Sequence, residues 1–251
     1  MEFRFIQDGF NPAAQNMALD EAVMKNCVAY GKPTLRFYRW KPSAVSIGYF
    51  QSLEQEVDTA KCRELGVDVV RRSTGGGAVF HDAELTYSFV CPVDAALTPK
   101  NILDSYRHIC GGLIHGFREL GLMAAFVPLN DLVVNGKKVS GNAQTRREKT
   151  LLQHGTILID VDVDKMFSLL KVPNEKIRDK LISDVKQRVT SINREAGKAY
   201  AYDEVAQAMK KGFERHFKAT LVDEPFTAEE RKLAGQIAAQ KYSRPEWNGM
   251  R

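Results

Sequence analysis

Apolar residues recur along this chain with two spacings, and the two spacings predict different elements. Between residues 102 and 120 they step by three or four, as Ile102, Tyr106, Ile109, Leu113, Phe117 and Leu120. That step places them on one face of a helix. Thr98-Pro99 precedes it as a start signal and Gly121 follows as a stop. Asn11-Pro12 opens an earlier helix that runs to about Ala29, and Leu53 to Leu65 reads as another that ends at Gly66. Further helical segments are expected at Lys165 to Leu170, Glu175 to Leu181, Asp203 to Phe217 and Ala228 to Gln240. The last follows the capping box Thr227-x-x-Glu230.

Short runs rich in β-branched and aromatic residues mark strands: Phe3 to Ile6, Val67 to Val70, Ala78 to Phe80, Leu85 to Val90 and Thr150 to Ile159. Thr34 to Tyr38 and Ala44 to Tyr49 form two more around the turn Lys41-Pro42-Ser43. Leu132 to Val139 reads as a hairpin closed by Asn135-Gly136. Hairpins interleaved with helices predict an α+β fold, with mixed or antiparallel sheets and flanking helices. No repeat or Pro/Gly-rich linker divides residues 1–251, so a single catalytic-size domain is expected.

Composition narrows the partners. The chain is 44% hydrophobic and 27% charged, as in ordinary soluble proteins. Its net charge of +5 is a mild bias towards acidic ligands. No Lys/Arg block interleaves with aromatics, so no nucleic-acid groove is expected. No apolar run approaches the roughly 20 residues that cross a bilayer, and Met1 to Phe5 carries no signal-peptide pattern. A cytoplasmic protein is expected. The four cysteines, Cys27, Cys62, Cys91 and Cys110, form no C-x-x-C pair and read as buried reduced thiols.

Chemistry concentrates in Arg71-Arg72-Ser73-Thr74-Gly75-Gly76-Gly77-Ala78-Val79-Phe80-His81-Asp82. Three glycines let backbone pass close to a ligand or take positive φ. Paired arginines supply planar donors for phosphate or carboxylate. The run is neither a Walker loop nor a dinucleotide fingerprint, because it leads into a strand and not a helix. It reads as a main-chain and guanidinium grip on an anion; a tight turn between strands with solvated arginines is the competing account.

Two more segments join it: Asn130-Asp131-Leu132-Val133-Val134-Asn135-Gly136-Lys137-Lys138-Val139-Ser140-Gly141-Asn142-Ala143, and His154-Gly155-Thr156-Ile157-Leu158. Asn16 to Glu21, Leu35 to Trp40, Ile47 to Gln51 and the ending Lys241-Tyr242-Ser243 with Glu246-Trp247-Asn248 extend the pattern over nearly the whole chain. Together these resemble the lipoate-protein ligase family, within the biotin-ligase-like fold of class II aminoacyl-tRNA synthetases. The nearest resemblance is to the large subunit of two-component, archaeal-type ligases.

The resemblance implies that lipoate (or octanoate) and MgATP give an acyl-adenylate, which a lysine amine then attacks. The implied acceptors are lipoyl domains of 2-oxoacid dehydrogenase E2 subunits and the glycine-cleavage H protein. Arg72, Gly75, Gly76, Gly77 and Val79 would line the adenylate and acyl site. Lys138 would be the catalytic cation; a solvated lysine beside a hairpin turn is its competing reading, and Lys137 is expected to be that. Asp131 would hold Mg²⁺ or simply open a strand. His81 would position nucleotide or brace the glycine loop. His154 would touch substrate or be satisfied internally. Asn142 and Ala143 would continue the adenylate loop. Gln144 to Lys149 would be mobile until nucleotide binds, or form a solvated hairpin tip.

Two departures from the pattern matter. Single-chain ligases carry a C-terminal accessory domain, so either a separate small subunit supplies it here or the chemistry is not ligation; the small subunit is the expectation. Octanoyltransferases, which move octanoyl from acyl carrier protein through a cysteine thioester, share flanking motifs such as Glu84 to Ser88 and Ala143 to Arg146. In those relatives the thiol lies before the Lys138 hairpin or beyond the His154 strand, where this chain has none. The sequence therefore favours the ATP-dependent ligase over octanoyl transfer. A non-catalytic acyl-adenylate-binding relative is the third reading, opposed by Lys138 and the glycine run.

Overall fold

A computed structural model describes residues 1–93, 97–172 and 178–251. The first half runs β1 (Glu2–Asn11), α1 (Ala13–Tyr30), β2 (Thr34–Trp40), β3 (Ala44–Ile47), α2 (Leu53–Glu56), α3 (Thr59–Glu64), β4 (Asp68–Arg71), β5 (Val79–His81), β6 (Glu84–Pro92) and α4 (Ile102–Glu119). The second runs β7 (Ala124–Val127), β8 (Asp131–Val134), β9 (Lys137–Arg147), β10 (Thr150–Leu158), α5 (Val163–Leu169), α6 (Arg178–Arg188), α7 (Ile192–Ala196), α8 (Tyr202–Phe217), β11 (Thr220–Asp223), α9 (Ala228–Ile237) and α10 (Pro245–Asn248).

Eight strands form one mixed sheet in the order β11-β1-β2-β6-β10-β9-β8-β7, and β4-β3-β5 form a small second sheet. β1 runs parallel to both β11 and β2; the other pairs of the large sheet are antiparallel. β6 lies in the middle and is buried on both faces. Leu85, Tyr87 and Phe89 pack with Ile109, Leu113 and Phe117 of α4 and Met209 and Phe213 of α8. Val90, on the opposite face, joins Met17, Ala18 and Val23 of α1 and Ala234 of α9. Period-2 alternation along β6 thus divides the two cores. The architecture is α+β, as the hydropathy pattern predicts.

The departures have local causes. The Leu53 to Leu65 segment is two short helices, because Val57 pairs across to Leu170 as an isolated bridge and Asp58 caps α3 through Lys61 N at 2.9 Å. α4 starts at Asn101, whose side chain accepts from Asp104 N at 3.1 Å, and not at Thr98-Pro99. Ile102, at the top of its apolar stripe, is 62% exposed. In Gln144 to Lys149, β9 continues through Arg147, Arg146 donates to Lys100 O, Pro99 O and Ser105 Oγ, and Glu148-Lys149 form the exposed hairpin tip that was the competing account. The predicted helix at Glu175 to Leu181 lies partly outside the described residues. The capping box at Thr227 is present, and its Glu230 doubles as the buried partner of Arg4, at 2.6 and 2.9 Å.

Candidate active site

β4 ends in Arg71 and feeds the glycine loop, which turns back into β5. Gly76 sits at φ +94°, a backbone state that side chains disfavour. A Cβ on Gly48 would overlap the carbonyl oxygen of Gly76, so β3 meets the loop backbone to backbone. No heavy atom lies within 4 Å of where a Cβ on Gly77 would point, and Gly77 faces a cavity.

The paired arginines are both deployed on main chain. Arg71, fully buried, donates to the carbonyls of Gly48, Tyr49, Gln51, Trp247 and Asn248. Arg72 donates to Gly75 O, Gly77 O and Ser46 O at 2.7 to 3.2 Å. Burial pulls the Arg72 guanidinium down to about 10. The expected guanidinium grip on an anion is thereby corrected. These arginines satisfy carbonyls that a tight loop leaves without ladder partners, and so they shape the loop. The C-terminal residues contribute too: Trp247 Nε1 donates to Arg71 O at 2.9 Å, and Asn248 Oδ1 accepts from Arg71 N at 2.8 Å.

Two carboxylate–imidazole–hydroxyl relays brace this wall. In one, His81 Nδ1 lies 2.6 Å from Glu84 Oε1 and Nε2 lies 2.7 Å from Ser46 Oγ. Trp40 stacks on the His81 ring at 4.0 Å between centroids. In the other, His154 Nδ1 lies 3.2 Å from Asp20 Oδ2 and Nε2 lies 2.7 Å from Thr74 Oγ1. Burial, helped by Arg72 and His81, depresses the His154 pKa against the opposing pull of Asp20, so the imidazole is neutral near pH 7. Burial alone would raise Asp20, but hydrogen bonds from His154 and Ser88 and the charge of Arg36 hold it below the usual carboxylate range.

The facing wall is the β8–β9 hairpin. Asn135 and Gly136 make its turn at φ 51° and 77°. An extra residue, Val139, interrupts the register, so Val133 pairs with Lys138 while Leu132 pairs with Ser140. The bulge turns Lys138 towards Asp131, with Nζ 2.8 Å from Oδ1. The Lys138 side chain remains 42% exposed and that of Asp131 33%. This ion pair occupies the carboxylate that was expected to hold Mg²⁺. Among the described residues no group of three or more His, Cys, Asp or Glu comes together as a metal cluster. Asn142 exchanges hydrogen bonds with Asn130 and accepts from Tyr87 OH at 2.6 Å.

Between the walls lies a cavity of about 980 Å³. It brings together Arg72, Gly76, Gly77, Val79, His81, Asp131, Lys138, Asn142, Ala143 and His154, all picked from sequence. Gly75 alone of the picked residues does not line it. Sequence reasoning missed Ser46, Glu84, Asp20, Trp40, Tyr106 and Gly48. The short Thr86-x-Ser88 alternation inside an apolar strand was the one available hint of a polar layer beneath the cavity, since Thr86 accepts from Trp40 Nε1 at 2.7 Å and Ser88 donates to Asp20 at 2.8 Å.

Known proteins with this pattern fall into two groups. Octanoyltransferase LipM of Geobacillus kaustophilus is 41% identical over 98% of this chain and 97% of its own. LipM of Brevibacillus brevis is 38% identical over 98% of each. Among solved structures, the bi-partite lipoate protein ligase of Thermoplasma acidophilum superposes with a TM-score of 0.91, at 34% identity over 99% of this chain and 96% of that one. The full-length octanoyltransferase relatives overturn the expectation of ATP-dependent lipoate ligation. That expectation rested on the lack of a thiol at the motifs. The model of the lipoyl protein ligase A/B catalytic domain matches residues 12–214, and the chain belongs to that family.

Proposed function

We propose that this protein moves an octanoyl group from the thioester of an acyl carrier protein to a lysine ε-amine on lipoyl-domain acceptors. The observation that carries this reading is the likeness to octanoyltransferases, at 36 to 41% identity across at least 97% of both partners. The site suits the chemistry. The cavity has room for an eight-carbon chain, with Met17, Leu103 and Tyr106 among its apolar walls. Lys138 stands at its edge, where an ammonium stabilises the charge that develops on a thioester oxygen under attack. His154, buried and neutral, adds no competing cation to the pocket floor.

The experiment supplies octanoyl-carrier protein and unmodified lipoyl domain without nucleotide and reads the acceptor by intact mass. Octanoylated acceptor is the expected product. No product without ATP, together with product from free acid plus ATP, would refute the reading.

A further inference from the structure

A second cavity of about 430 Å³ adjoins the first and meets it at Val79, Lys138, Gly141 and Thr156. The two differ in charge. Arg72 and Lys100 line the larger one together with Lys138 and Asp131. Asp82, Glu84, Asp160 and Asp162 line the smaller one, and Lys138 at the junction is the only lysine or arginine on it among the described residues. Lys165 pairs with Asp82 at 3.1 Å. Asp160 and Asp162 stand exposed at the rim, each with one oxygen on a local backbone N–H, of Val161 at 2.8 Å and of Lys165 at 2.9 Å.

Glu84 is the buried member of the set, with its side chain 1% exposed. Its Oε1 is fully engaged, accepting from Thr86 Oγ1 at 2.6 Å and lying 2.6 Å from His81 Nδ1. Its Oε2 is buried and has no hydrogen-bond partner among the described residues. A carboxylate oxygen left in that state is costly, and an N–H donor brought to it relieves the cost. Phe80, Leu158, Met166 and Val189 supply apolar flanks. Val189 bridges to Lys138, and Thr190 N donates to Lys138 O at 2.8 Å, so that flank is tied to the strand that carries Lys138.

These features select an occupant. Rim carboxylates repel an anion and draw in a cation. Apolar flanks suit a methylene stem below a charged head. The unmet oxygen accepts from an N–H. A primary alkylammonium meets all three conditions. Resting on the octanoyl-transfer reading, we propose that the smaller cavity is the port for the acceptor lysine, which Asp160 and Asp162 draw in, Glu84 Oε2 holds, and the junction delivers to the acyl carbonyl at Lys138.

The test uses intact protein with octanoyl-carrier protein and unmodified lipoyl domain. Asp160→Asn combined with Asp162→Asn removes both rim charges and keeps an oxygen for each backbone N–H, since Asn caps as well as Asp. Its kcat/KM for the acceptor should fall about tenfold. Glu84→Gln should cost the acceptor about 10- to 100-fold, the worth of a hydrogen bond to a charged group. In both variants the KM for octanoyl-carrier protein should stay within about twofold. Asp160→Glu keeps the charge and should accept like wild type. A double variant that accepts like wild type, or donor and acceptor constants that fall together, would overturn the port. Calorimetric binding of the lipoyl domain, with its lysine and with alanine in that place, needs no turnover. The lysine's share of the affinity should vanish in Glu84→Gln, and a share that persists there would also overturn the port. Wild-type protein that binds through the lysine yet yields no octanoylated acceptor would sink octanoyl transfer while the port stands.

Discussion

The two walls of the cavity are built on opposite plans. The glycine-loop wall is locked: Arg71 and Arg72 are buried, their donors are committed to carbonyls, and both imidazoles behind it have partners on both nitrogens. The hairpin wall is loose by comparison, holding the cavity-lining Lys138 ammonium with one partly exposed carboxylate. Exposed ion pairs contribute little to stability, at about 0 to 1 kcal/mol. The contrast assigns separate jobs. In the proposed reaction, the locked wall fixes where the acyl carbonyl sits, and the loose wall brings charge to it. Rigidity costs backbone freedom, which the arginines and relays offset through hydrogen bonds to groups that would otherwise be buried unmet.

If the jobs are separate, damage to each wall has its own signature. The largest effect is expected from Lys138→Ala: transfer falls by roughly 10² to 10³-fold, while stability stays within about 0.5 kcal/mol, as for other surface changes. Lys137→Ala should leave the rate alone, and equal losses in the two would show that the hairpin does not single out Lys138. Gly48→Ala should fail on both counts, since its methyl meets the main chain of Gly76 and not a movable side chain. About 2 to 3 kcal/mol of stability and about 10²-fold in rate should be lost, read by denaturant midpoint and transfer assay. A variant that melts like wild type would contradict the locked wall. Asp131→Asn frees Lys138 from its anchor and should cost about tenfold in turnover through misplacement of the cation.

The smallest effect is a dependence on pH. His154 in the folded protein has a pKa below its ordinary 6.5, so the unfolded chain takes up its proton first as pH falls. Its contribution is therefore complete above about 6.5 and is lost progressively below it. Melting temperature should drop between pH 7 and 5, and His154→Gln should flatten the slope. His216, lowered to about 4 mainly by burial between α4 and α8, titrates with the same sign, so part of the slope should remain. An identical slope in the variant would mean that His154 titrates alike in the folded and unfolded chain.

What was readable from sequence follows the range over which each signal acts. The α4 stripe from Ile109 to Leu120, the Asn135-Gly136 turn and the Thr227 capping box act within a few residues, and each stands where the local pattern predicts. The relays join residues 35 and 134 positions apart, such as Ser46 with His81 and Asp20 with His154, and no local pattern reports such pairings. The break at Val57 comes from its bridge to Leu170, again a distant partner. The Val139 bulge is a choice of register that hydropathy does not encode. At the site, residue types pointed to the right cavity but gave the arginines the wrong task, because a guanidinium that binds an anion and one that binds carbonyls look the same in sequence. The preferred activity went wrong for a related reason: the missing thiol outweighed the flanking motifs Glu84 to Ser88 and Ala143 to Arg146, which octanoyltransferases share.

The hold of Trp247 and Asn248 on Arg71 has a consequence in time. The strand that launches the glycine loop waits for partners made 177 positions later. During synthesis, the hairpin with Lys138 and the central strands can pair well before Asn248 has emerged. Lys138 is thus in place first, and the glycine-loop wall sets last. A growing chain holds an unfinished glycine loop until α10 docks on Arg71.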